Sequence, residues 1–205
     1  MWNKGMLMVL SGPSGVGKDA VKEGFLSACP NMVQSVSATT RPMRDGEKDG
    51  VDYHFLTREA FEDMIRKGDF LEYTQYNGNY YGTPLPFVKG LLESGKDVLL
   101  KIEVEGARNV RRLFPEAVQI FLLPPSMAEL WRRLVGRGSD TEEKNRKRFA
   151  TAYEELTFAG DYDYNVVNDD LNLAVSRLVA VYQAEKCRAS RSAALCNDLK
   201  KEIVL

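Results

Sequence analysis

The chain has 205 residues, with 28 Lys and Arg against 29 Asp and Glu and a formal net charge of −1. That length suits one domain, or one core with a small insertion, and a sizeable buried interior. The charge balance gives no basic excess for nucleic acid or a membrane surface, so any attraction for an anionic ligand has to be local.

The lead before the first apolar run is too short for a signal peptide, and no apolar run is long enough to span a bilayer, which points to a cytoplasmic protein. Residues 6–10, Met-Leu-Met-Val-Leu, read as a buried strand. The run breaks into Ser11, Gly12, Pro13, Ser14, Gly15, Val16 and Gly17, and then meets Lys18. Gly12, four intervening residues, Gly17 and Lys18 fit the phosphate-binding loop pattern. Glycines let the backbone take positive φ and approach a ligand closely. Successive N–H groups then form an anion nest, the following helix adds its positive dipole end, and the lysine reaches the outer phosphates. The pattern asks for Ser or Thr after the lysine, to put a hydroxyl on Mg²⁺; here it is Asp19. A carboxylate is also a hard ligand. Asp19 either holds the metal, directly or through water, or sits at the helix start and favours its dipole.

A helical pattern follows, with Ala20, Val21, Gly24, Phe25 and Leu26 on one side, and stops near Cys29 and Pro30. Residues 33–37 alternate like a strand. Arg41 and Arg44 stand either side of Pro42, where two guanidinium groups can fork onto a phosphate. Residues 53–56 read as a short strand and 57–67 as a helix, capped by Thr57, with Phe61, Met64 and Ile65 as its apolar face and Gly68 at its end. Strands over 70–76 and 79–81 are joined by a turn at Asn77 and Gly78.

Residues 85–94 look helical, and 98–104 read as a buried strand that carries Glu103. The C-terminal end of that strand belongs beside the phosphate loop, where open parallel sheets put ligands. Lys101, two residues before Glu103, would point the same way on a strand, and is a partner for Asp19 on charge. A helix over 105–114 stops at Pro115, a strand over 118–123 closes at Pro124 and Pro125, and Ser126 caps a helix over 127–135. Arg132, Arg133, Arg137, Lys144, Arg146, Lys147 and Arg148 read by themselves as a solvated helical face; Gly136 and Gly138 give Arg137 hinge freedom. The helix continues over 150–159, and 164–168 is the last core strand. Asp169 and Asp170 start a final helix, with Leu171, Ala174, Leu178, Val181 and Tyr182 as its apolar face. Cys29, Cys187 and Cys196 lack paired or metal-type spacing and read as reduced intracellular thiols.

Five stretches, in order, resemble the guanylate kinase family: GPSGVGK, SVSATTRPMRDGEKDGVDYHF, FLEYTQYNGNYYGTP, RRLVGRGSDTEE and VVNDDL, over about residues 5–186. The resemblance implies an α/β fold: a P-loop NTPase-type parallel β-sheet core flanked by helices (1–36, 84–136 and 149–187), a small β-rich GMP-binding insertion (37–83) and a helical lid (137–148). Residues 188–205 form a tail beyond it, for which a helix packed on the core or a partner and a mobile end both stay open. It implies Mg²⁺-dependent transfer of the ATP γ-phosphate to GMP, giving ADP and GDP, in purine nucleotide metabolism. The implied partners are ATP and GMP, with no nucleic acid or membrane; a homo-oligomer stays open.

By resemblance, Gly12, Pro13, Ser14, Gly15, Val16, Gly17, Lys18 and Asp19 hold ATP, and Asn168 falls where the family contacts adenine. Arg41, Arg44, Tyr53 and Tyr81 would hold the GMP phosphate. Ser37, Glu72 and Thr83 would read guanine, and Glu103 would contact guanine or a metal-bound water. Lys18, Arg41, Arg133, Arg137 and Arg148 would carry the transfer, the last three closing over the phosphates. Guanine offers N1–H and N2–H₂ to a carboxylate such as Glu72; adenine lacks that donor pair and would leave the carboxylate buried and unpaired. Lys101 departs from the family, which usually has a second acid there. Together with Asp19 it keeps two alternatives in view, a catalytically weak binding module and a kinase of another phosphorylated acceptor.

Overall fold

The computed structural model describes residues 4–76, 78–136 and 141–202. Asn77 of the expected hairpin turn and Arg137 of the expected lid lie outside the described residues. The first strand, β1 (Leu7–Ser11), is buried at every residue, as a parallel strand covered on both faces must be. Helix α1 (Lys18–Ala28) buries Val21 and Phe25; Ala20, expected beside them, is exposed. Strand β2 (Met32–Gln34) is shorter than the alternation over 33–37 suggests. Ser35 still donates its N–H to Leu99 O at 3.1 Å, after which the chain leaves the first sheet and Ala38–Thr39 (β3) joins a second. Alternation sees extended backbone but not a change of sheet.

The second sheet is completed by β4 (His54–Phe55), β5 (Phe70–Tyr76) and β6 (Asn79–Pro84), in the order β4-β3-β6-β5. Helix α2 (Arg58–Lys67) packs on it. Thr57 accepts from the Ala60 N–H, and Gly68 closes the helix in the left-handed conformation, as its sequence signals require. Phe61 is wholly buried and lies between the Phe70 and Tyr80 rings, at centroid distances of 4.2 and 5.1 Å. This small cluster packs α2 on the second sheet, while buried Leu71 of β5 joins the core of the first sheet.

Helix α3 (Leu85–Glu93) returns the chain to the first sheet at β7 (Asp97–Lys101). The strand expected over 98–104 ends at Lys101: Ile102 still donates to Leu10 O, and Glu103 is already the N-cap of α4 (Val104–Leu113). Lys101 and Glu103 therefore do not share a strand face, which corrects the expectation from their spacing. Strand β8 (Val118–Leu123), α5 (Met127–Val135), α6 (Glu142–Leu156), β9 (Tyr164–Val167) and α7 (Leu171–Lys186) follow. A 3₁₀ turn (Ala189–Arg191) and α8 (Ala193–Lys201) close the described chain. Leu171, expected on the buried face of α7, is 43% exposed.

The main sheet is parallel throughout, in the order β2-β7-β1-β8-β9. The pleat sends Met6, Met8 and Leu10 to one face, against Phe25, Leu130, Ala152 and Leu178. It sends Leu7 and Val9 to the other, against Val88, Leu92, Ala107 and Val110. The sheet core is thus sandwiched by α1, α5, α6 and α7 on one side and by α3 and α4 on the other. Since β1 lies between β7 and β8, the loop after β1 opens at the carboxyl ends of three adjacent strands.

Candidate active site

The loop between β1 and α1 is built by steric necessity. Gly12 has φ +143°, and a Cβ there would lie 2.6 Å from Leu122 O. Gly17 has φ +99°, and its Cβ would meet the Asn168 amide nitrogen at 2.6 Å. Buried Val16 anchors the loop in the core. Lys18 folds back over it, donating to Gly12 O at 2.5 Å and to Glu103 Oε2 at 3.1 Å.

Three distant side chains gather on this loop. Asn168, buried, donates its amide to Val16 O at 2.7 Å. Arg133 donates to Val16 O at 3.2 Å and to Asn168 O at 3.0 Å, while Glu129 takes its Nε at 2.8 Å. Arg148 reaches Ser14 Oγ from Nε and Nη2 at 3.2 and 2.9 Å. The Asn168 amide is thus committed to the loop itself. Glu155, which sequence reasoning passed over, accepts the Ser14 N–H at 3.3 Å. Burial, with the nearby Glu103 charge, pushes its pKa up.

Asp19 stands in the first turn of α1 with its Oδ1 2.5 Å from Lys101 Nζ. Burial alone would raise its pKa; the hydrogen bond and charge of Lys101 outweigh that and hold it below the ordinary value. The pairing expected between these two residues is present. Glu103 is 69% exposed and lies beside Lys18.

Across from the loop is a cavity of about 360 Å³, bordered by Ser37, Tyr53, Glu72, Tyr81, Thr83 and Glu103 together with Lys101. The register of β5 and β6 sets Glu72 opposite Thr83, and Thr83 Oγ1 donates to Glu72 Oε1 at 2.6 Å. Burial raises the Glu72 pKa despite that bond. Gly106 on α4 also matters and carried no local signal: a Cβ there would lie 2.9 Å from Glu72 Cγ, so only glycine lets α4 pass so close.

Arg41 and Arg44 are not in the cavity lining; they flank it on the loop after β3. Arg41 donates from Nη1 and Nη2 to Glu47 at 2.9 and 2.7 Å. Its guanidinium carbon lies 5.4 Å from the Tyr53 ring centre and 5.6 Å from that of Phe55. The Arg44 N–H also goes to Glu47, at 2.8 Å, while the Arg44 side chain is exposed. The Arg41 hydrogen bonds bring the Glu47 carboxyl down to about 2. Glu47 was legible only as a charge in a turn. Its role needs the fold of the loop.

The site therefore sets an anion nest with a lysine against a cavity with a half-buried, partly desolvated carboxylate and an oriented arginine. A family model described as guanylate kinase matches residues 4–185. The chain is 53% identical over 188 residues to a curated guanylate kinase from Halalkalibacterium halodurans, covering 92% of both chains. The crystal structure of a guanylate kinase from Anaplasma phagocytophilum is similar with a TM-score of 0.75 at 32% identity, over 98% of this chain and 96% of that one. An SH3-kinase fragment of tight junction protein 3 aligns with a TM-score of 0.50 at 12% identity, over 89% of this chain and 58% of that one, a likeness of fold alone.

Proposed function

The chain belongs to the guanylate kinase family, and from that premise we propose how its residues transfer the γ-phosphate of ATP to GMP. Among the described residues no helix is long and apolar enough to cross a membrane, in keeping with work in the cytoplasm on purine nucleotides. In this assignment the loop N–H groups and Lys18 hold the ATP phosphates. Arg41, fixed by Glu47 beside Tyr53 and Tyr81, holds the GMP phosphate with Arg44, and Glu72, Thr83 and Ser37 read guanine. The supporting observation is the opposed geometry of the two anion-binding halves across one cleft.

In-line transfer asks for positioning and charge neutralisation rather than a strong base. The second ionisation of a phosphate lies near pH ~6, so the attacking oxygen of GMP is already mostly deprotonated. Lys18 leaves Glu103 for the incoming phosphates. Arg133 and Arg148 already touch the loop and neutralise charge on the migrating group, and lid closure over residues 137–148 keeps water from the reaction. Arg137 takes its part in this proposal from the sequence pattern. Kinases of this family use a divalent metal with ATP, and we assign Mg²⁺. When bound, it supplies charge neutralisation of the β- and γ-phosphates. Asp19 suits it as a hard oxygen donor with its side chain 63% exposed at the loop.

A coupled ADP-release assay offering GMP, dGMP, AMP, UMP and CMP in turn tests the reading. GMP is expected to be the best acceptor, with AMP at least about a hundredfold poorer in kcat/KM because it leaves Glu72 unpaired. Glu72→Gln narrows that gap. AMP turned over as well as GMP, or no turnover with any acceptor, would overturn the assignment.

A further inference from the structure

Two crossed ion pairs join the end of β7 and the start of α4 to the first turn of α1. Lys18 meets Glu103 at 3.1 Å and Lys101 meets Asp19 at 2.5 Å. Strand register explains the second pair: Lys101 is the β7 neighbour of Leu10, next to where the loop leaves β1. The residue after the loop lysine is the one whose oxygen ordinarily meets Mg²⁺ in this loop type. Here that oxygen belongs to a carboxylate, and an ammonium already sits on it.

A metal held by the Asp19 oxygen that Lys101 occupies competes with the ammonium for its lone pairs, and at about 4 Å a single and a double charge repel by roughly twice the unit-charge figure. A carboxylate in a phosphate-binding loop also opposes ATP unless something neutralises it. The Lys101 side chain is 32% exposed on a flexible four-carbon stem and borders the acceptor cavity, so it has somewhere to go.

We infer that Lys101 is the resident counter-ion of Asp19, neutralising it in the metal-free enzyme, and that the divalent metal arriving with the nucleotide displaces it. This rests on reading Asp19 as a metal ligand. Lys101 is then a positioning residue that sets metal affinity through Asp19, and its ammonium moves toward the acceptor cavity when the metal is in place.

The test is a double-mutant cycle on metal binding. Free Mn²⁺ is titrated by electron paramagnetic resonance into the full chain holding ADP, for wild type, Lys101→Met, Asp19→Asn and the double variant. Lys101→Met is expected to bind Mn²⁺ about three- to fivefold more tightly than wild type, the reach of one partly exposed ion pair. Asp19→Asn is expected to bind it more weakly, and adding Lys101→Met to that variant is expected to change nothing. Equal tightening in both backgrounds would make Lys101 a distant charge only, and no tightening in either would remove competition; both overturn the inference. An unchanged affinity in Asp19→Asn would instead overturn the ligand reading of Asp19. Lys101→Gln serves as the second variant and is expected to move in the same direction.

Discussion

Glu47 takes the outer edge of the Arg41 guanidinium with two short hydrogen bonds and the Arg44 N–H with a third. A planar fork held this way by Glu47, with Nη1 also donating to Pro42 O at 2.7 Å and aromatic rings beside it, keeps one orientation. With its pKa near 2, Glu47 stays charged throughout the working pH range. Glu47→Gln keeps the shape and removes the charge. The expected result is a GMP KM raised about tenfold, the scale of a lost charge-assisted hydrogen bond, with the ATP KM unmoved. Guanosine, which lacks the phosphate, should bind as before. Titrating both ligands into the variant decides the matter: tighter GMP binding would make Glu47 a competitor of the phosphate, and equal losses for both would point to damage in the second sheet. None of this was readable from the turn sequence. Arginines either side of a proline announce a phosphate, but which acid orients them depends on how the loop folds back.

At the scale of elements, the caps and breakers were the legible part. Thr57, Ser126 and Asp170 each accept a backbone N–H in the first turn of the helix they precede, because a side-chain oxygen at that position answers a local need. Strand ends were less legible. The apolar run after Asp97 continues past Lys101, yet the hydrogen bonding changes there because α4 must start over the cleft. A buried acid at the other end of β7 had no sequence signal at all. Asp97 is wholly buried and accepts from the Met6 N–H, the Tyr182 hydroxyl, Asn31 and Lys186, at 2.7, 2.6, 3.1 and 2.8 Å. It pins α7 and the start of β1 to one strand. Asp97→Ala strands the Met6 and Tyr182 donors in the core and should cost about 2–4 kcal/mol of stability, read as a lower urea midpoint with the GMP KM of the folded enzyme unchanged. Burial would raise the Asp97 pKa, but its partners outweigh burial and lower it. The carboxylate's contribution is therefore complete above the ordinary unfolded value, near 3.9, and is lost as pH falls through the lower folded one. An urea midpoint for Asp97→Ala that matches wild type at neutral pH would remove the pin.

Across the whole molecule, the grips for anions come from segments far apart in the chain, and four of them are met by an acid of the protein itself. Glu103 meets Lys18, Glu47 meets Arg41, Glu129 meets Arg133 and Glu155 meets the Ser14 N–H. The sequence displays the cations and the glycine spacing, which are local; it hides Glu103 and Glu155, because pairing across 85 and 141 residues is decided by the fold, whereas Glu47 and Glu129 lie six and four residues from their arginines. The Ser14 contact has a consequence for the lid. Arg148 and Glu155 are seven residues apart on α6, two turns and hence one face, and both grip Ser14, by its hydroxyl and by its N–H. An ATP phosphate wants the same N–H and repels Glu155, while it attracts Arg148. One helix therefore carries a contact that nucleotide strengthens and one that nucleotide must displace. Glu155→Gln removes the repulsion and keeps a group that can still accept, so ATP binding should tighten by about three- to tenfold with little change for GMP. Calorimetry with a non-hydrolysable ATP analogue measures it directly. A weaker affinity would mean that Glu155 supports the loop rather than guarding it.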